Sequence, residues 1–291
     1  MKKRYIYLYL IGWWLFCVAC TGNFRDYNTD LSGITNEDLN IDDNGYGIRL
    51  GIIQQGIYFN YDYGKGKNWP FQLIQNLNAD MFSGYMHDAK PLNGGSNNSD
   101  YNMQDGWNSA MWTHVYSYIF PQIYQSENAT RDTHPALFGI TKILKVEVMH
   151  RVTDYYGPII YRHFANAEKH YQPDTQKEVY YEFFNELDSA VVALIGYIEE
   201  KPESNGFARF DILLDGKYSS WVKFANSLRL RLAMRLASIA PDKARLEIEK
   251  IKENDYGFFE RGSEKVAVST KSGYINPLGE LNLVWNETYM N

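Results

Sequence analysis

A chain of 291 residues with 45 % hydrophobic content can build a sizeable core, which excludes a globally disordered protein. Its 24 Tyr, 15 Phe and 7 Trp combine apolar area with polar handles, a composition suited to hydroxylated or ring-shaped ligands. The net charge of −6 becomes −9 once the three bases of residues 1–19 are removed, and an acidic surface argues against nucleic acid as a partner.

Lys2, Lys3 and Arg4 precede an apolar stretch, Tyr5 to Val18, that is too short for an ordinary membrane-spanning helix and right for a signal peptide. Val18-Ala19-Cys20 then places a small residue before a cysteine, as a lipoprotein signal peptidase requires. Residues 1–19 are therefore expected to be a lipoprotein signal peptide, and Cys20 the lipidated residue that anchors the chain to a membrane. The only other cysteine is Cys17, so the mature chain can form no internal disulfide and no metal site built on Cys pairs. Residues 20–43, rich in Asn, Asp, Thr and Gly, read as a polar tether, within which Thr35 and Asp38 could open a first helix.

The body, residues 44–291, is expected to be all-α. Helices are predicted over 46–60 and 69–83, separated by the turn-rich Asp62-Tyr63-Gly64-Lys65-Gly66-Lys67, which lacks the spacing of a phosphate-binding loop. A long irregular stretch, 84–106, follows. The spacing of Trp107, Met111, His114, Val115, Tyr118 and Ile119 predicts a helix to Tyr124 that Pro121 breaks or bends near its end. Over 135–153, Leu137, Ile140, Leu144, Val148 and Val152 mark one apolar face, with Pro135 at the first helical position and Gly157-Pro158 as the stop. Residues 177–199 carry a 3,4-spaced stripe capped by Asp174 or Thr175, and 219–239 repeat the design, opened by Ser219 or Ser220 and closed before Pro241. A helix over 242–253 comes next, after which the pattern dissolves into short, extended pieces around a turn at Asn276-Pro277-Leu278-Gly279. Paired helices of this length, each with a stripe it cannot bury alone, suggest a tetratricopeptide-like stack with long irregular loops.

A site for sugars needs an aromatic platform beside amide or carboxylate groups. The 84–107 segment offers Tyr85, Asn98, Tyr101, Asn102 and Trp107 as ligand-binding candidates, with Asn97 and Gln104 beside them. The bland alternative makes Trp107 a core residue and the Asn residues turn formers. Trp221, Asn226, Arg229, Arg231 and Arg235 share one helix and read as buried packing with Arg–carboxylate pairs, while Asp154 and Tyr156 read as fixing a helix exit. The six His residues show no metal-ligand spacing, and no nucleophile elbow or dinucleotide loop occurs, so neither metal, cofactor nor catalytic residue is assigned.

Three segments then carry a family resemblance. Asp154-Tyr155-Tyr156-Gly157-Pro158-Ile159-Ile160-Tyr161 resembles the Asp-x-Tyr-Gly-x-Ile/Val-Pro-Tyr segment of SusD/RagB proteins, with Ile160 where the family usually has Pro. Thr175-Gln176-Lys177-Glu178-Val179-Tyr180, running into Glu186-Leu187-Asp188-Ser189-Ala190, is similar to the helix that follows the family's Tyr-Asp-Thr/Ser turn. The run from Trp221 to Arg235 resembles the family's most specific signature. The resemblance implies a surface-exposed outer-membrane lipoprotein that binds an oligosaccharide or similar nutrient without chemistry and passes it to a SusC-like TonB-dependent transporter. It also implies that a C-terminal region is missing beyond Asn291, since family members run much longer. Two rivals stand beside this expectation: a surface glycoside hydrolase, and a truncated helical scaffold that binds only its transporter.

Overall fold

The computed structural model describes residues 44–59, 69–88, 92–98, 101–168, 172–202, 204–260, 262, 264–268, 276–284 and 288–290. The signal peptide, Cys20 and the tether lie outside these residues.

Every long helix foreseen from apolar spacing is present. Helix α1 spans Asn44–Ile57. Helix α2 is composite, with a turn Trp69–Phe71, a π-helical stretch Gln72–Ala79 and a closing turn Asp80–Phe82. A short strand β1, Met86–Asp88, and a 3-10 turn, Leu92–Gly95, interrupt the irregular segment after it. Helix α3 is assembled from Asp105–Asn108, Ala110–His114, a π stretch Val115–Ile119 and Phe120–Thr130. Then come α4 (Pro135–Tyr156), α5 (Gln176–Glu200), α6 (Tyr218–Leu236), α7 (Pro241–Lys250), α8 (Pro277–Val284) and strand β2 (Thr288–Met290).

Successive helices pack as tetratricopeptide-like pairs: α4 lies against α3 and α5, α5 against α6, and α6 against α7, with α1 laid across α3 and α4. A single apolar cluster runs through all of them, from Leu50 and Ile53 of α1 to Leu232 of α6 and Ala244 of α7. Strands β1 and β2 form one antiparallel ribbon, Met86 facing Met290. Among the described residues the fold is α-helical, with one small strand pair tying the irregular segment to residues 288–290.

Three boundaries and one buried face differ from expectation. At Pro121 the regular helix is interrupted as expected, a π stretch Val115–Ile119 giving way to Phe120–Thr130 with the proline in its first turn, but the helix continues to Thr130 rather than ending near Tyr124. Ser219 and Ser220 do not cap α6; its start has no side-chain cap, and Asp211 instead clamps the preceding turn. Asp211 accepts the Leu213, Leu214 and Gly216 N–H groups and, at 2.8 Å, the Trp221 indole N–H. The turn expected at Asn276-Pro277 is the start of α8, where Asn276 Oδ1 accepts the Leu278 N–H. Finally, α4 is buried nearly all round rather than on one face, because α1, α3 and α5 enclose it.

Enclosure brings charges inside. Lys145 Nζ lies 2.6 Å from Glu186 Oε1 and 3.4 Å from Glu127, Lys142 reaches Glu127 at 3.1 Å, and the Tyr161 hydroxyl donates to Glu186. Burial alone would lower the Lys145 pKa, but Glu186 and Glu127 together raise it. Of the two caps expected for α5, Asp174 or Thr175, it is Thr175: its hydroxyl accepts the Glu178 N–H, and Glu178 accepts the Thr175 N–H at 2.9 Å.

Candidate functional site

The irregular segment is held from below by amides. Asn98 is 1 % exposed; its Nδ2 donates to the Leu77 carbonyl at 2.9 Å and to Asn108 Oδ1 at 3.2 Å, and its Oδ1 accepts the Gln104 N–H at 3.3 Å. Asn78 Nδ2 also donates to Asn108 Oδ1, and the Tyr155 hydroxyl lies 2.8 Å from Asn78 Oδ1 and 3.0 Å from Asn108 Oδ1, able to donate to one at a time. Tyr156 completes the anchor, its hydroxyl donating to the Asn108 carbonyl at 2.5 Å and accepting the Trp112 N–H at 3.2 Å. Burial pushes the Tyr156 phenol up to about 12, and burial likewise raises that of Tyr155, so both remain neutral donors across the physiological range.

A small apolar cluster lies beside this network, built from Leu77, Met81 and Met86 with Leu73, Trp107 and Leu278 packed on it. Trp107 is thus a half-buried support. Asn102 is exposed, and its Nδ2 donates to the Gly95 carbonyl at 3.3 Å.

Above these supports the aromatic residues face solvent. Tyr85 is 74 % and Tyr101 75 % exposed, against 37 % for Phe82 and 48 % for Met103. The Phe82 and Tyr101 rings lie 6.1 Å apart at 45°, forming a tilted pair. Tyr101 is held at φ 55, a left-handed conformation that a bulky residue rarely adopts, by the turn in which its N–H donates to the Asn98 carbonyl. Gly84 at φ 74 makes the sharp exit from α2 that separates Phe82 from Tyr85.

Of the five ligand-binding candidates read from sequence, the fold therefore puts Tyr85, Tyr101 and Asn102 at the surface, Trp107 half inside, and Asn98 beneath as a tether. Phe82 and Met103 were missed. Phe82 ends a helix whose apolar residues read as core, and nothing local distinguishes a ring that overhangs the end. Among the described residues no group of three or more His, Cys, Asp or Glu side chains is arranged to hold a metal, and none of the described helices is long and apolar enough to cross a membrane.

Paired helices around a main apolar core, with an irregular loop that carries exposed aromatic residues, define a helical-repeat protein. The profile of the family described as SusD-like, Susd and RagB outer membrane lipoprotein, matches residues 26–291. The chain belongs to this SusD/RagB family. A SusD homologue of known structure from Bacteroides vulgatus is 45 % identical, with a TM-score of 0.79 over 86 % of this chain and 50 % of that one. A chitin-binding SusD homologue from Flavobacterium johnsoniae is 34 % identical, with a TM-score of 0.76 over 83 % of this chain and 50 % of that one. One from Bacteroides uniformis is 27 % identical, with a TM-score of 0.70 over 83 % and 50 %. The chain thus spans about half the length of the solved relatives it matches. None of the curated proteins compared matches it.

Proposed function

We propose that the protein is a surface-exposed outer-membrane lipoprotein, anchored through lipid on Cys20, that binds an oligosaccharide on the Phe82, Tyr85 and Tyr101 surface and delivers it, unchanged, to a SusC-like TonB-dependent transporter. The observation that carries the binding role is the exposed Phe82–Tyr101 ring pair, with Tyr101 on a loop braced by buried amides and the exposed Tyr85 just beyond α2. Exposed rings offer flat apolar faces to sugar C–H groups, and a braced loop loses little conformational entropy when it binds. The chitin-binding member among the solved relatives makes chito-oligosaccharides the first ligands to try.

Isothermal titration with chitohexaose tests the reading. Binding is expected without release of shorter sugars, and Tyr85→Ala and Tyr101→Ala should each weaken it about tenfold, roughly 1.4 kcal/mol, at unchanged thermal midpoint. Cleavage of the sugar, or full affinity in the double variant, would overturn the site. The anchor is checked separately by a palmitate analogue, which should label the wild-type chain and not Cys20→Ala.

A further inference from the structure

A hollow of about 470 Å³ lies between the last turn of α4, the first half of α5 and the end of α6. Its polar wall is Asp154, Tyr180 and Arg235. The Tyr180 hydroxyl donates to Asp154 Oδ1 at 2.5 Å and accepts Arg235 Nε at 3.0 Å, while Arg235 Nη2 meets Asp154 Oδ2 at 2.9 Å. These bonds fix the guanidinium but leave both Nη1 hydrogens without a protein acceptor among the described residues, on a side chain 48 % exposed.

The second cation is Lys177, whose Nζ stands 5.6 Å from the centre of the Tyr181 ring and, among the described residues, meets no carboxylate. Lys243 flanks the same ring at 5.1 Å and pairs at 2.7 Å with Glu247, a carboxylate it shares with Arg229 and Lys250, so it adds to the positive field beside the hollow. The lining therefore carries two cations and one carboxylate, a local surplus of one positive charge on a chain whose net charge is −6. The apolar part of the lining is Leu236, Ile239 and Ala240, just beyond Arg235 in the chain, with Ile239 78 % exposed.

The geometry points to a binding site for a compact monocarboxylate about the size of a hexose, its anion on Arg235 and Lys177 and its apolar face on Ile239. A guanidinium pre-oriented by two partners is well suited to accept a carboxylate. The surplus suits a monoanion, and the Asp154 carboxylate beside the guanidinium disfavours a second negative charge on the ligand. A cavity of this volume falls at the smaller end of ordinary ligand sites. Such a carboxylate belongs to an acidic sugar or to the end of a peptide, and the test separates them. The site does not depend on the aromatic loop being a sugar platform.

Calorimetric titration of the full chain would use galacturonate against galactose, and N-acetyl-leucine against its amide. One acid at least should bind about tenfold tighter than its neutral counterpart, and the acid that does so identifies the source. Lys177→Glu and Ile239→Glu, both at exposed positions, should each abolish that preference without moving the thermal midpoint. Tyr101→Ala should leave it intact, which separates this site from the loop. Equal affinity for acids and neutral counterparts, or a preference that survives either Glu variant, would overturn the assignment.

Discussion

Tyr155, Tyr156, Gly157 and Tyr161 share three jobs within seven residues. The first two hold the aromatic loop, Gly157 takes φ 79 to leave α4, and Tyr161 reaches the buried Glu186. The sequence reading recognised this run as a helix exit; its partners lie too far along the chain to be read locally. His150, one turn earlier, has a more measurable consequence. Burial lowers its pKa to about 3 against its bond to the Val146 carbonyl, and Arg231, Arg151 and Arg235 lower it further. Glu147, on the same helix, is raised by burial and opposes this trend, whereas His114 is lowered by burial and adds to it. The unfolded chain binds a proton at His150 near pH 6.5 and the folded chain does not until about pH 3, so its contribution is complete above pH 6.5 and lost as pH falls through that window. Stability should therefore drop by up to about 1.4 kcal/mol per pH unit below 6.5 on account of this residue. Urea unfolding between pH 7 and pH 4.5 should show a visibly flatter slope in His150→Leu. Parallel slopes in the two proteins would mean that the imidazole titrates normally when folded.

At the level of elements, helices were legible where a 3,4 apolar stripe met a chemical boundary, as at Pro135 for α4 and at Asp174-Thr175 for α5. The π stretches were not, because an extra residue in a turn leaves composition unchanged and shows only in packing. In the candidate site, Tyr85 and Tyr101 were legible as aromatics in a glycine- and asparagine-rich loop. Asn98 was read as a ligand-facing amide, but a buried loop must satisfy its own backbone first, and the Leu77 carbonyl and Gln104 N–H claim it. The hollow beside Arg235 was invisible for a related reason: its walls come from three helices. Helix pairing also explains Gly139, a residue no stripe accounts for. A Cβ there would stand 2.9 Å from the Ala190 carbonyl and 3.1 Å from Leu194 Cγ, so α4 and α5 touch through the missing side chain. Gly139→Val is expected to lower stability by about 2 kcal/mol, since overpacking against backbone outweighs the small gain in helix propensity. Denaturant melts would show the midpoint fall, and a variant as stable as wild type would mean the helices separate freely.

Across the whole molecule the two apolar clusters differ in size and in what holds them. The larger runs from α1 to α7 and contains the paired charges of Lys145, Glu186 and Glu127, whereas the smaller consists of Leu77, Met81 and Met86 under the aromatic loop and leans on amide bonds. Local opening follows such differences, because a segment with little buried apolar area can detach while the core stays intact. Hydrogen exchange should therefore be slowest in α4 and α5 and fastest among the described amides of 86–104. Asn98→Ala removes the donor to Leu77 and the acceptor for Gln104, a loss of about 2 kcal/mol concentrated at the loop. Its expected signature is faster exchange across 84–108 with α4 unchanged, together with weaker oligosaccharide binding even though the Asn98 side chain is buried away from solvent. Exchange that accelerated equally in α5 would show that the loop and the helical core open as one unit, and that the amide network braces the entire fold rather than the aromatic surface alone.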